Sequence, residues 1–214
     1  LEEARRQLAS LLGVEYQELC FTSGGSESNN AILRQFLQAD KPNHWILSPL
    51  EHPSLLETAQ HLAEQGRASL DLLPVDRGGR VLPEALLELI RPETRLVSVM
   101  GANNETGVIQ PIAELQTIAQ QHGIPLHTDS VQILGRIPVS WQELGVNYAT
   151  ATAHKSCANF SRTCSNRIRR ICVGQHHRLR EKKESKLLSP MYKEGRREDE
   201  GPHGSRNGTR GRYR

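Results

Sequence analysis

Apolar positions along this chain fall into two rhythms that take turns. Leu1, Ala4, Leu8, Leu11 and Leu12 recur every three or four residues, with Glu2, Glu3, Arg5 and Arg6 between them. That spacing predicts a helix over 1–12, closed by Gly13. Short apolar runs of strand length follow at 19–22 (LCFT), 44–47 (HWIL), 70–75, 95–100 (RLVSVM), 125–128 and 148–153. Helical periodicity returns between them at 26–37, 53–65, 83–90 and around Ile112, Leu115, Ile118 and Ala119. Pro53 suits a helix first turn, where its missing N–H has no partner to lose. Strand and helix alternate with short connections, which predicts an α/β layer with a mainly parallel sheet and helices on both faces.

In such sheets ligands gather at the carboxyl ends of the strands. Polar clusters sit after Thr22, Leu47, Met100, His127 and Ala153. The first, Ser23-Gly24-Gly25-Ser26-Glu27-Ser28-Asn29-Asn30, links a strand to a helix. Its glycines and the helix N–H groups suit an anion, and they equally suit an ordinary turn with a serine cap. His52, at a helix entrance, could stack on an aromatic group or move a proton, or be simply a polar residue there. In Gly101-Ala102-Asn103-Asn104-Glu105-Thr106-Gly107, amides between glycines could orient a polar ligand or satisfy a tight turn.

The last two clusters bracket the stretch from His127 to Lys155. Asp129 with Gln132 opens it, and His154-Lys155 closes it. An aspartate at a strand end is often a helix cap, and a lone lysine is usually a solvated charge. Together they suit another chemistry. A lysine can hold pyridoxal phosphate as a Schiff base, and a carboxylate can keep the pyridine nitrogen protonated.

Charge and composition change the picture at one point. Residues 1–155 carry 11 Lys+Arg against 18 Asp+Glu, and residues 156–214 carry 16 against 6. The apolar share falls from 63 of 155 residues to 14 of 59 across that boundary. The first segment can bury a core, whereas the second has little apolar surface to offset ordering and is expected to be disordered. Three of the four cysteines, Cys157, Cys164 and Cys172, lie in the basic segment, and no CxxC spacing is present, so no metal site is expected. Free thiols in a reducing, cytoplasmic setting are expected. No apolar run is long enough to span a bilayer, so no membrane partner is expected. The chain starts inside a helical pattern without an initiator Met, as a fragment would.

Taken in order, TSGGSESNN, LEHPSLLE, GANNETG, HTDSVQ and AHK resemble the cysteine desulfurases and selenocysteine lyases, within the class-V aminotransferase group of pyridoxal phosphate enzymes. The resemblance covers about residues 1–155 and implies a truncated large domain of the fold type I transferases. It implies Lys155 as the Schiff-base lysine and Asp129 as partner of the pyridine nitrogen. Gln132 would bond the phenolic oxygen, and His52 would stack on the ring and help proton transfer. Gly25, Ser26, Thr152 and His154 would meet the phosphate, and Asn104 would face cofactor oxygen and substrate carboxylate. The implied reaction takes sulfur or selenium from L-cysteine or L-selenocysteine and leaves L-alanine. Family members are homodimers that pass sulfur to acceptor proteins.

After Lys155 the family's Tyr/Gly/Pro/Lys/Gly-type stretch is replaced by Ser156-Cys157-Ala158-Asn159-Phe160, and no catalytic cysteine loop is recognisable. None of Cys157, Cys164 and Cys172 is assigned as the sulfur acceptor. A reading-frame shift or a mis-joined gene model would explain the break at 155/156. Three alternatives stay open: another class-V aminotransferase-type enzyme, a nonfunctional remnant, and a nucleic-acid-binding basic tail. For the last, Arg167-Ile168-Arg169-Arg170 would contact phosphates, though a charged tail without such a role is the expected reading.

Overall fold

The computed structural model describes residues 2–152, apart from the side chains of Gln142 and Glu143, and the backbone of residues 170–174. Among the described residues seven strands form one sheet in the order β1-β7-β6-β5-β4-β2-β3, and every pairing of these strands is parallel. They are β1 (Leu19–Thr22), β2 (His44–Leu47), β3 (Ser69–Leu72), β4 (Thr94–Ser98), β5 (Leu126–Asp129), β6 (Tyr148–Thr152) and β7 (Arg170–Gly174). The helices are α1 (Glu2–Leu12), α2 (Gly25–Gln35), α3 (Pro53–Glu64), α4 (Ala85–Leu89), α5 (Ile112–Gln121) and α6 (Trp141–Leu144). Because all strands run the same way, their carboxyl ends share one edge, where the polar clusters emerge.

The alternation of side chains along each strand divides the core in two. Val97 and Val99 of the β4 segment, Leu126 of β5, and Ala149 and Ala151 of β6 pack with Leu12 of α1, Leu86 of α4 and Leu115 of α5. Trp45 and Leu47 of β2, Leu96 of β4 and Tyr148 of β6 pack with Ile32 and Leu33 of α2 and Leu55, Ala59 and Leu62 of α3. Helices therefore cover both faces, as a sheet buried on both sides requires.

Several expectations shift. The strand expected over 70–75 ends at Leu72, because Pro74 lacks a ladder N–H; Val75 instead bridges Val81. In α1 the buried residues are Ala9 and Leu12, and Ala4 is exposed. The short α6 was not anticipated, since four residues are too few to show a period. The expectation that the whole segment 156–214 lacks order does not hold for residues 170–174, which form β7 between β1 and β6. That stretch, RICVG, is the densest apolar run of the segment and carries β-branched Ile171 and Val173, and average composition hides so short a run. The described residues all fall within one compact unit, 1–178, and residues 179–214 lie outside the described residues. Among the described residues no helix is long and apolar enough to cross a membrane.

Candidate active site

The carboxyl edge of the sheet opens into a cleft of about 260 Å³. Every anticipated site residue among the described ones lines it: Gly25, Ser26, His52, Asn104, Asp129, Gln132 and Thr152. His154 and Lys155 lie outside the described residues.

One wall is the N-terminus of α2. Its N-cap is Gly24, which has no side chain with which to cap the first turn. The helix therefore starts one residue before the expected Ser26 and leaves first-turn N–H groups for a ligand. Glu27 reaches back instead, accepting from the Ser23 hydroxyl at 2.5 Å and the Ser23 N–H at 2.6 Å. Those two bonds, the hydroxyl first, hold the Glu27 carboxyl below its ordinary value. A Cβ on Gly25 would sit 2.9 Å from Thr152 Cγ2, so glycine is what lets α2 approach the end of β6 this closely.

The floor is Asp129, the last residue of β5, only 6 % exposed. Its Oδ2 accepts from Asn29 Nδ2 at 3.0 Å, and its Oδ1 from the Val131 N–H at 3.0 Å. Among the described residues no lysine, arginine or histidine pairs with it. Behind it lies a second carboxyl, Glu51, 5 % exposed. Its Oε1 accepts the Met100 N–H at 2.5 Å, and its Oε2 is buried with no hydrogen-bond partner among the described residues. Burial, reinforced by the Asp129 charge and partly opposed by the Met100 N–H, pushes the Glu51 carboxyl up to about 8, so it is neutral at pH 7.

Beneath Asp129, His127 bridges three strands. Its Nδ1 lies 2.8 Å from Ser98 Oγ and its Nε2 3.0 Å from Thr150 Oγ1. Complete burial pushes its imidazole down to about 3. Buried polar groups are tolerated when each is answered, and here two hydroxyls answer both ring nitrogens.

His52 caps α3, its Nδ1 accepting the Ser54 N–H at 3.1 Å. Asn104 is exposed on the loop between the bridged residues Ala102 and Ile109. The neighbouring Asn103, not Asn104, holds the turn, accepting at its Oδ1 from the Glu105 and Thr106 N–H groups at 2.9 Å each. Gln132 Oε1 accepts from Arg136 Nη1 at 2.7 Å, which turns the amide so that Nε2 is its remaining polar group.

Reading the sequence missed Asn29, Glu51 and Ser54 as parts of this site. All three stand inside the stretches TSGGSESNN and LEHPSLLE, one to four residues from residues that were singled out.

Residues 1–160 match the family Aminotransferase class-V. A cysteine desulfurase IscS from Dictyoglomus turgidum is 45 % identical over 157 residues, covering 72 % of this chain and 40 % of that protein. Among solved structures, a NifS-like protein superposes with a TM-score of 0.68 at 39 % identity, over 72 % of this chain and 43 % of the other. SspA in complex with cysteine superposes with a TM-score of 0.66 at 31 % identity, over 72 % and 45 %. The chain thus spans less than half the length of these relatives. A parallel α/β sheet, polar clusters gathered at its carboxyl edge and a family match over most of the chain lead to one conclusion: this chain belongs to the class-V aminotransferase family, whose members depend on pyridoxal phosphate.

Proposed function

We propose that this chain carries the cofactor-binding part of a pyridoxal phosphate-dependent cysteine desulfurase. One observation carries the reading: a buried carboxylate, Asp129, with no cationic partner among the described residues, faces the same cleft as the open N-terminus of α2. A buried anion is costly until it meets a cation, so a protonated pyridine nitrogen suits it. The N–H groups of α2 suit a phosphate in the same way. The donor set therefore fits the cofactor.

Gly25 and Ser26 would hold the phosphate through backbone N–H groups and a hydroxyl, with Thr152 and His154 beside them. Asp129 would pair with the ring nitrogen. Gln132 would donate from Nε2 to a ring oxygen, its Oε1 being taken by Arg136. His52 would cover the ring face, and Asn104 would orient the substrate carboxylate. Lys155 would be the covalent anchor. Once bound, pyridoxal phosphate would supply the electron sink for bond cleavage in an amino acid.

The substrate proposed is L-cysteine or L-selenocysteine, in keeping with the relatives named as desulfurases and the one complexed with cysteine. The further partners proposed are a second copy of the chain and a protein that accepts sulfur, in the cytoplasm. Residues 156–214 are proposed to be foreign to the family and introduced by a frame shift or mis-joining. Resequencing that finds no family-like continuation in another frame would remove that part.

The test is borohydride trapping of pyridoxal phosphate followed by peptide mapping, on the wild type and Lys155→Ala. Label on Lys155 that vanishes in the variant is the expected result. A folded wild type that takes no label would overturn the reading.

A further inference from the structure

Four polar groups form a continuous hydrogen-bonded chain across the cleft wall. Asn29, on α2 and 2 % exposed, directs Nδ2 to Asp129 Oδ2 at 3.0 Å and to Ser54 Oγ at 3.2 Å. Ser54 Oγ lies 2.8 Å from His52 Nδ1. The Ser54 backbone N–H points at the same Nδ1 from 3.1 Å.

The direction of every bond in this chain follows from chemistry. A carboxylate only accepts, so the Asn29 atom facing Asp129 is the amide nitrogen, and its two hydrogens serve Asp129 and Ser54. Ser54 Oγ accepts from Asn29 and keeps its own hydrogen to give. A backbone N–H only donates, so His52 Nδ1 is an acceptor and carries no proton. Ser54 O–H therefore donates to it as well. The proton of the neutral ring must then sit on Nε2. Protonating Nδ1 would forfeit the N-cap of α3 and the serine bond together. The chain is mechanically braced, since Asn30 Nδ2 bonds the Ser54 carbonyl at 3.0 Å and Thr58 Oγ1 donates to Asn30 Oδ1 at 3.1 Å, tying α2 to α3.

We propose that Asn29 and Ser54 are positioning residues that wire Asp129 to His52 and hold the imidazole as its Nε2–H tautomer, so that His52 offers the cleft a donor. This role rests on the cofactor reading for what the Nε2–H meets, while the wiring is a property of the chain alone. In that state His52 serves a ligand first as hydrogen-bond donor. It can accept a proton from the cleft only if Nδ1 exchanges its role with Ser54.

The test uses ¹⁵N-labelled full-length protein without added cofactor at pH 8, with the His52 ring assigned by loss of its signals in His52→Gln. Long-range ¹H–¹⁵N correlations distinguish a protonated from an unprotonated ring nitrogen. The expected wild type shows Nε2 protonated and Nδ1 bare. Ser54→Ala keeps the backbone cap but loses the hydroxyl, and should lower the tautomer ratio about fivefold, the equivalent of one hydrogen bond. Ser54→Thr should restore it, and Asn29→Leu should shift it the same way as Ser54→Ala by a smaller factor. Proton density on Nδ1 in the wild type, or shifts in Ser54→Ala identical to wild type, would overturn the proposal. Adding pyridoxal phosphate to the same samples separates the two readings. Absence of binding by a wild type with the expected tautomer would remove the cofactor reading alone.

Discussion

The two faces of one sheet are built to different rules. On the side of α1, α4 and α5, the strands contribute Val97, Val99, Leu126, Ala149 and Ala151, an apolar layer. On the side of α2 and α3, the same strands begin apolar, with Leu96 and Tyr148. Two residues along, that face turns polar with Ser98, His127 and Thr150, and then reaches Asp129 and Thr152 at the edge. Both faces are buried, so the difference lies in how burial is made tolerable. The first face removes area from water at about 25 cal/mol per Å². The second spends its burial on polar groups that must be answered one by one, which gives little net stability and a fixed geometry at the cleft floor.

Glu51 offers the largest lever on that contrast. Its carboxyl is raised in the folded state, so the unfolded chain releases the proton first as pH rises. The stability it contributes is full below the unfolded value near 4.5, falls as pH rises, and is gone above about 8. The change across that window is on the order of 5 kcal/mol. Glu51→Gln keeps an acceptor for the Met100 N–H and should remove this slope in urea unfolding at pH 5 and pH 8. Parallel pH profiles for wild type and variant would show that the group is not held neutral.

Next in size is the apolar face. Leu115→Ala, at a fully buried position on α5, should cost about 3 kcal/mol in urea unfolding and leave pyridoxal phosphate affinity unchanged. A large drop in affinity at constant fold would mean that the two faces are not separable.

His127 acts in the opposite direction to Glu51. Its imidazole is depressed when folded, so its contribution is present above the unfolded value near 6.5 and is lost as pH falls toward about 3. His127→Leu should strand the hydroxyls of Ser98 and Thr150 and cost about 2 kcal/mol at pH 7. It should also flatten the acid limb below pH 6.5. An acid limb as steep as in the wild type would exclude His127 as its source.

The smallest change in stability is expected at the rim. Gly25→Ala puts a methyl against Thr152 Cγ2, which can give by rotation, so the unfolding free energy should move by less than about 1 kcal/mol. Pyridoxal phosphate affinity should nevertheless fall, because the rotation displaces Thr152, which lines the cleft and is proposed to meet the phosphate. Unchanged affinity in a fluorescence titration would show that the close approach has no part in binding.

The sequence by itself determined much of this molecule. Period fixes the type of element wherever an apolar run is long enough, so β1, β2 and α3 lie where the pattern puts them, within a residue. The parallel sheet then sends Gly25, His52, Asn104 and Asp129 to one edge, because connections through helices leave all strand ends together. Hydropathy carries no record of partners across space. Nothing local marks Asn29, which is 100 residues from Asp129 in the chain, or tells which of its atoms faces a carboxylate. Nothing local marks Glu51, beside His52, as buried; only folding closes over it and removes the water that would keep it ionised. Residues 170–174 read as part of a basic tail until a gap between β1 and β6 gives their backbone groups partners on both sides. Tertiary structure alone decided these points, since hydrogen bonding and desolvation depend on neighbours that the chain supplies only once it has folded.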